Sequence, residues 1–299
     1  MIEKHSKASG IGLERLCAQD WMQSTATEYG VEFFEAWFQG NAYQKHRHDT
    51  YAICLTTTGV SAFDYRGNSQ ISTSGQVVVL HPDEVHDGYA GTKEGFGYRQ
   101  VYVEPALIFE AIQTMGSHPC SLPFVRMPVT MNRKLSAAII SAFQDTREPL
   151  AIDSLIVQVA EGLMEADPTC KQIPLPRHLD VAALKRTRQY LDTQKTRVVH
   201  SSELEAVTGL TRYDLARQFR IMCGTSPYRY LLMRRLDFAR QQLAQDRSLV
   251  EVAIEAGFAD QAHFSRMFKA TFGITPARYR ALREPERSQD ATVEERNGM

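Results

Sequence analysis

The chain has 299 residues, 43% hydrophobic and 23% charged, with 34 Lys and Arg against 35 Asp and Glu. No run approaches the roughly 18 consecutive apolar residues of a membrane-spanning helix, and the N-terminus lacks a secretory signal's apolar core, so a soluble, cytoplasmic protein with no membrane partner is expected. Five cysteines, at positions 17, 54, 120, 170 and 223, form neither a Cys-x-x-Cys pair nor an even set, which argues against a disulfide framework or a zinc knuckle.

The N-terminal half has the period of strands. The runs 51–57, 60–65, 75–80 and 98–103 are short, β-prone and bounded by Gly, Asn, Pro and Asp, the pattern of an antiparallel sandwich or barrel. Around them stand Lys45-His46-Arg47-His48, ahead of a strand, and His81-Pro82-Asp83-Glu84-Val85-His86, leaving one. These two stretches resemble the half-motifs of the cupin superfamily, with one departure: four residues beyond His48 stands Ala52 where a metal-binding cupin has a carboxylate.

Three roles are open to His46, His48 and His86. With a fourth ligand they would bind a transition metal, and three imidazoles alone can hold zinc; they can serve structure by stacking and by bonding loop carbonyls; or they can contact an organic effector at a barrel mouth. The missing carboxylate favours the effector, with Tyr51, Glu84, Tyr89 and Arg99 as further candidates to line the site, and no metal or other cofactor is expected. His81 is assigned no role. Next come two amphipathic helices, Met131 to about Thr146 and Ile152 to Glu165, which can cap the barrel or join a second copy.

Prolines 168, 174 and 176 then mark a linker, since they forbid continuous helix or sheet. Charge divides here too: residues 1–176 carry 13 basic against 20 acidic side chains, and residues 177–283 carry 19 against 10. An acidic half joined to a basic half fits a nucleic-acid reader fused to something else.

In the basic half one pattern occurs twice. Gly209-Leu-Thr-Arg212-Tyr213-Asp-Leu-Ala-Arg217-Gln-Phe-Arg220, closed by Gly224 and Pro227, recurs as Gly257-Phe-Ala-Asp-Gln261-Ala-His263-Phe-Ser-Arg266-Met-Phe-Lys269, closed by Gly273 and Pro276. Each copy reads as a helix-turn-helix: a short helix, capped in the first copy by Ser201 or Ser202, a glycine turn, and a second helix with basic residues opposite its apolar face. Such a helix can enter a major groove, where Arg bonds guanine bidentately and Lys neutralises phosphate. Between the copies, a helical pattern from Pro227 to about Leu243 would span about 25 Å at 1.5 Å per residue. It could set two recognition helices about one DNA turn, roughly 34 Å, apart.

The stretch from about Val181 to Leu282 resembles the AraC/XylS family of bacterial transcription regulators, through Ile254-Glu-Ala-Gly257-Phe258-Ala-Asp260, His263-Phe264-Ser265-Arg266-Met-Phe268-Lys269 and Gly273-Ile-Thr-Pro276-Ala-Arg-Tyr279-Arg280. The resemblance implies that Tyr213, Ala216, Arg217, Gln261, Ala262 and Arg266 face bases, and Arg212, Arg220, His263 and Lys269 complete the expected DNA contacts. It also implies a cupin-like sensor and a subunit interface on the two helices after the barrel.

The fold expected is therefore two-domain: an N-terminal antiparallel β cupin-like barrel with two following helices, and a C-terminal all-α domain with two helix-turn-helix motifs joined by a long helix. Residues 1–167 form the sensor, 168–180 the linker, 181–283 the reader and 284–299 a flexible tail, with the reader expected to fold on its own. The function expected is transcription regulation without catalysis. Expected partners are double-stranded promoter DNA, a small-molecule effector, RNA polymerase and a second copy of the chain. A metal-dependent cupin enzyme carrying a DNA-binding domain and a ligand-free regulator whose first domain only dimerises are the alternatives.

Overall fold

The structure, a computed structural model, describes residues 20–27, 29–115, 120–144, 148–172, 175–243 and 247–283. The expected tail, 284–299, lies outside the described residues. Eight strands come first: β1 (Trp21–Ala26), β2 (Val31–Phe38), β3 (Asn41–His46), β4 (Tyr51–Tyr65), β5 (Asn68–Thr73), β6 (Val77–Leu80), β7 (His86–Ala90) and β8 (Phe96–Val103), with a short β9 (Val129–Thr130) later. All described pairings are antiparallel, and the main path runs β1-β2-β8-β4-β6-β9, with β3, β7 and β5 attached through β4 and each other.

The runs at 51–57 and 60–65, read in the sequence as separate, form one 15-residue strand. Its first half pairs with β8 and β6 and its second half with β5 and β7, so β4 passes from one side of the barrel to the other. Gly59 makes the bend: its φ is +66° and a Cβ there would lie 2.0 Å from the Gly95 carbonyl oxygen, a conformation and an approach open only to glycine.

Strand alternation then sorts the side chains. Tyr51, Ile53 and Leu55 of β4 join Val101 and Val103 of β8 in a core covered by two helices, α2 (Arg133–Ala142) and α3 (Pro149–Ala166). Ala52 and Cys54, with Tyr98 of β8, face the opposite way. The sequence did not mark α1 (Pro105–Met115), which follows β8 directly. Nor is the proline-rich linker free chain: residues 168–172 form a 3-10 turn, Cys170 is fully buried, and the Asp167 carboxylate accepts the Phe124 N–H at 2.7 Å.

Seven helices follow: α4 (Val181–Thr193), α5 (Ser201–Thr208), α6 (Arg212–Cys223), α7 (Pro227–Gln242), α8 (Leu249–Glu255), α9 (Gln261–Phe272) and α10 (Pro276–Arg283). The cap of α5 falls one residue before the expected serines, at His200, whose backbone N–H donates to the Glu203 carboxylate at 2.7 Å. The helical part does not stand apart from the barrel. Phe219 and Tyr230 share a core with Ala106 and Phe109 of α1, and Phe264, Phe268 and Tyr279 share one with Phe34, Phe38 and Tyr98 of the strands.

Candidate DNA interface and effector cavity

Both repeats are helix-turn-helix units. Gly209 and Gly257 take φ of +75° and +80° in the two turns. The following helices start under side-chain caps: Thr211 Oγ1 accepts the Asp214 N–H at 3.3 Å, and Asp260 accepts the His263 N–H at 2.6 Å. Leu215 and Phe219 in α6, like Phe264 and Phe268 in α9, bury one face.

On the opposite face of α6, Arg212, Tyr213, Arg217 and Arg220 are exposed. Arg217 bonds Asp214 at 2.8 Å, and the Arg212 guanidinium lies over the Tyr213 ring. On α9, Gln261, Ala262 and Arg266 are exposed and Lys269 is half-buried. His263 is half-buried as well, its ring edge-on to Phe258 at 5.5 Å, so it packs as much as it presents.

The spacer α7 is more than a ruler. Among its buried residues is Arg240, which bonds Glu32 of β2 at 2.6 Å. Arg234, also on α7, bonds Glu104 at 2.6 Å and Asp49 at 3.2 Å, and Arg188 of α4 closes on the other Glu104 oxygen. Arg229 pairs with Asp83 at 2.6 Å. The opposed charges of the two halves are thus partly spent on each other. Backbone bonds join the seam: Gln44 N–H donates to the Gly273 carbonyl at 2.9 Å, and Arg47 N–H to the Ala270 carbonyl at 3.2 Å.

Within this seam lies a cavity of about 440 Å³. Phe34, Phe63, Phe96, Tyr98 and Tyr102 wall it from the strands, and Met233, Phe238, Phe272 and Tyr279 from the helices, with Ile274 from the turn between α9 and α10. His46, His48 and His86 meet on its wall, with ring centroids 4.2 Å apart for His46 and His86, 4.9 Å for His48 and His86, and 6.2 Å for His46 and His48. Each Nδ1 bonds a backbone carbonyl, of Gln44 at 2.8 Å, Thr50 at 2.9 Å and Glu84 at 3.0 Å respectively. Burial, helped by their mutual repulsion, holds His46 and His48 well below the ordinary imidazole range, and burial lowers His86 to about 4. Asp49 is pushed up to about 6 by burial, against the pull of Arg234.

Four expected lining residues are elsewhere. Tyr51 has the wrong strand parity: it points into the core under α2 and α3 and donates its hydroxyl to the Pro123 carbonyl at 2.7 Å. Arg99 likewise projects from the outer face of β8, pairing with Glu35 at 2.7 Å beside Phe143, while its neighbours Tyr98 and Gln100 line the cavity. Glu84 offers its carbonyl to His86 but turns its carboxylate toward Arg66 at 3.6 Å. Tyr89 also lies off the cavity wall. The sequence reading missed Tyr43, Asp49, Gln100, Tyr102, Glu104, Arg234 and Arg240; the alternation Tyr98, Gln100, Tyr102 was the signal available for part of that set.

The histidines do not complete a cupin metal set. Ala52 offers a buried methyl where the carboxylate belongs, and among the described residues no group of three or more His, Cys, Asp or Glu is arranged to hold a metal ion.

Residues 28–160 match the model of the AraC-like ligand binding domain, and residues 204–282 that of a helix-turn-helix domain. The HTH-type transcriptional regulator YbfI of Bacillus subtilis is 24% identical over 229 residues, 74% of this chain and 81% of the relative. The transcriptional activator RhaS of Escherichia fergusonii is 24% identical over 269 residues, 85% and 91% of the two chains. Among solved structures, an apo variant of ToxT from Vibrio cholerae superposes with a TM-score of 0.60 at 14% identity, covering 86% of this chain and 99% of that one, a likeness of fold. With both halves matched in this order and a double helix-turn-helix joined to the barrel, the chain belongs to the AraC family of DNA-binding transcription regulators.

Proposed function

We propose that a small molecule held in the cavity sets the affinity of the double helix-turn-helix for promoter DNA. The observation that carries this reading is the composition of the cavity wall, drawn mainly from the barrel but completed by the end of α4, by α7, by α9 and by the residues after α9. A ligand there touches sensor and reader at once, so it can favour one docking of the two over another. ToxT has been crystallised with an unsaturated fatty acid, which supports effector binding in this fold without naming the effector of this chain.

Arg217 and Arg266 read bases in this proposal, Tyr213 and Gln261 assist, and Arg212, Arg220, His263 and Lys269 bind backbone or shape the surface. Ile140, Leu150 and Val157, exposed on α2 and α3, supply a face for a homodimer, and DNA-bound protein contacts RNA polymerase. The protein acts in the cytoplasm and performs no catalysis.

The test uses the full chain. Asp83→Ala removes the partner of Arg229 at the seam without touching the cavity wall or the DNA face. Limited proteolysis would report looser docking, and promoter affinity should change by roughly fivefold or more, the scale of a coupling near 1 kcal/mol. Loosened docking with unchanged DNA affinity would overturn the proposal.

A further inference from the structure

Resting on the reading of the cavity as the effector site, the arrangement of its polar groups selects the ligand's chemistry. The carbonyls of Gln44, Thr50 and Glu84 can only accept, so Nδ1 of His46, His48 and His86 must carry the proton in each bond. A neutral imidazole protonated at Nδ1 has an acceptor at Nε2. His48, 5% exposed, keeps its Nε2 buried with no hydrogen-bond partner. A buried acceptor left alone is costly, and a ligand that donates would satisfy it.

Charge points the same way. The wall carries six carboxylates, Glu32, Asp49, Asp87, Glu104, Asp192 and Asp237, against three cations, Lys195, Arg234 and Arg240. Both arginines are taken: Arg234 by Asp49, Glu104 and Asp237, and Arg240 by Glu32 and Asp237. Lys195 sits 5.9 Å from the Phe238 ring centroid. An anionic ligand would have to break existing pairs to reach either arginine and would have only Lys195 of the three cations to meet, whereas a cation would reduce the surplus of negative charge. The aromatic faces of Phe34, Tyr98 and Tyr102 suit the body of such a molecule and attract its charge.

We propose that the cavity receives a protonated primary or secondary amine on an aryl or alkyl body, its N–H groups donating to His48 Nε2 and the adjoining imidazoles.

The test is binding to the full chain at pH 7.5 of three matched series with one to four methylenes: phenylalkylamines, phenylalkanols and phenylalkanoates. The amines are expected to raise Tm by roughly 2–4 °C at millimolar concentration, ahead of the alcohols and carboxylates. The His48→Leu variant should lose at least roughly tenfold in amine affinity, a loss of about 1.4 kcal/mol. A second measurement spares the fold: in the unaltered protein, the ¹⁵N resonance of an imidazole Nε2 should shift on amine binding as it becomes a hydrogen-bond acceptor. Stabilisation by the carboxylates and not the amines would overturn the amine while leaving the effector cavity standing. One equivalent of zinc bound tightly and lost in His48→Leu would also overturn it, as would no response to any series. The Asp83→Ala experiment, which needs no ligand, tests the effector reading separately.

Discussion

Arg240 on α7 meets Glu32 on β2 at 2.6 Å, with the two side chains only 11% and 12% exposed. Two charges taken this far from water each carry a desolvation penalty that their attraction offsets only while both are present. Arg240→Ala should therefore destabilise the full chain by about 3–5 kcal/mol, whereas replacing the pair together, Arg240→Met with Glu32→Leu, should recover most of the loss. Urea denaturation of the three proteins checks this, and equal stability of single and double variants would contradict it.

Two glycines separate local strain from interdomain contact. Gly209 and Gly273 have nearly the same φ, +75° and +71°, yet a Cβ at Gly209 meets nothing within 4 Å while one at Gly273 lies 2.8 Å from both Gln44 O and His46 Nδ1. Gly209→Ala should cost about 1 kcal/mol for its left-handed backbone alone. Gly273→Ala should cost more and should also open the seam, read as faster proteolysis between barrel and reader and an altered promoter affinity. Identical proteolysis of the two variants would count against the seam as described.

Acid should weaken the fold. His86 at about 4 and His81 at about 3 both lie below the ordinary 6.5, so their stabilisation is present above pH 6.5 and lost as pH falls, because the unfolded chain binds the protons first. At pH 5 each contributes a loss of about 2 kcal/mol relative to pH 7. Asp49, raised to about 6 from 3.8, runs the other way and returns about 1.4 kcal/mol at pH 5. His46 and His48 add to the loss. Urea midpoints at pH 7 and pH 5 should therefore fall with acid, and a midpoint that rises would refute the assignment of neutral, buried imidazoles.

The reader was legible because its signals are local. Gly209, Gly257 and the spacing of Leu215 with Phe219 each fix a turn or a face within a few residues of themselves. The histidine cluster was legible for a different reason, through the two half-motif positions that pairing of β3 with β7 brings together at His46 and His86. What failed was parity and partnership. Tyr51 and Arg99 are chemically suited to a pocket, but a one-residue step along a strand turns a side chain to the other face. The partners of Arg234 and Arg240 lie up to 208 residues away in the chain, and helical periodicity says nothing about distant carboxylates. His81, assigned no role from sequence, proves structural: its Nε2 accepts the Val125 N–H at 2.8 Å while Nδ1 meets the Tyr65 hydroxyl at 2.8 Å.

The central claim is that α6 and α9 read two successive major grooves, and binding-site selection with the full chain and two variants tests it most directly. The unaltered protein should return two short conserved blocks about ten base pairs apart. Arg217→Ala should relax one block and Arg266→Ala the other, each with a loss of about 1–3 kcal/mol on the original site. Lys269→Ala should instead weaken all sequences alike and flatten the salt dependence. The same two-block consensus from both arginine variants, or no consensus from the unaltered chain, would contradict the account.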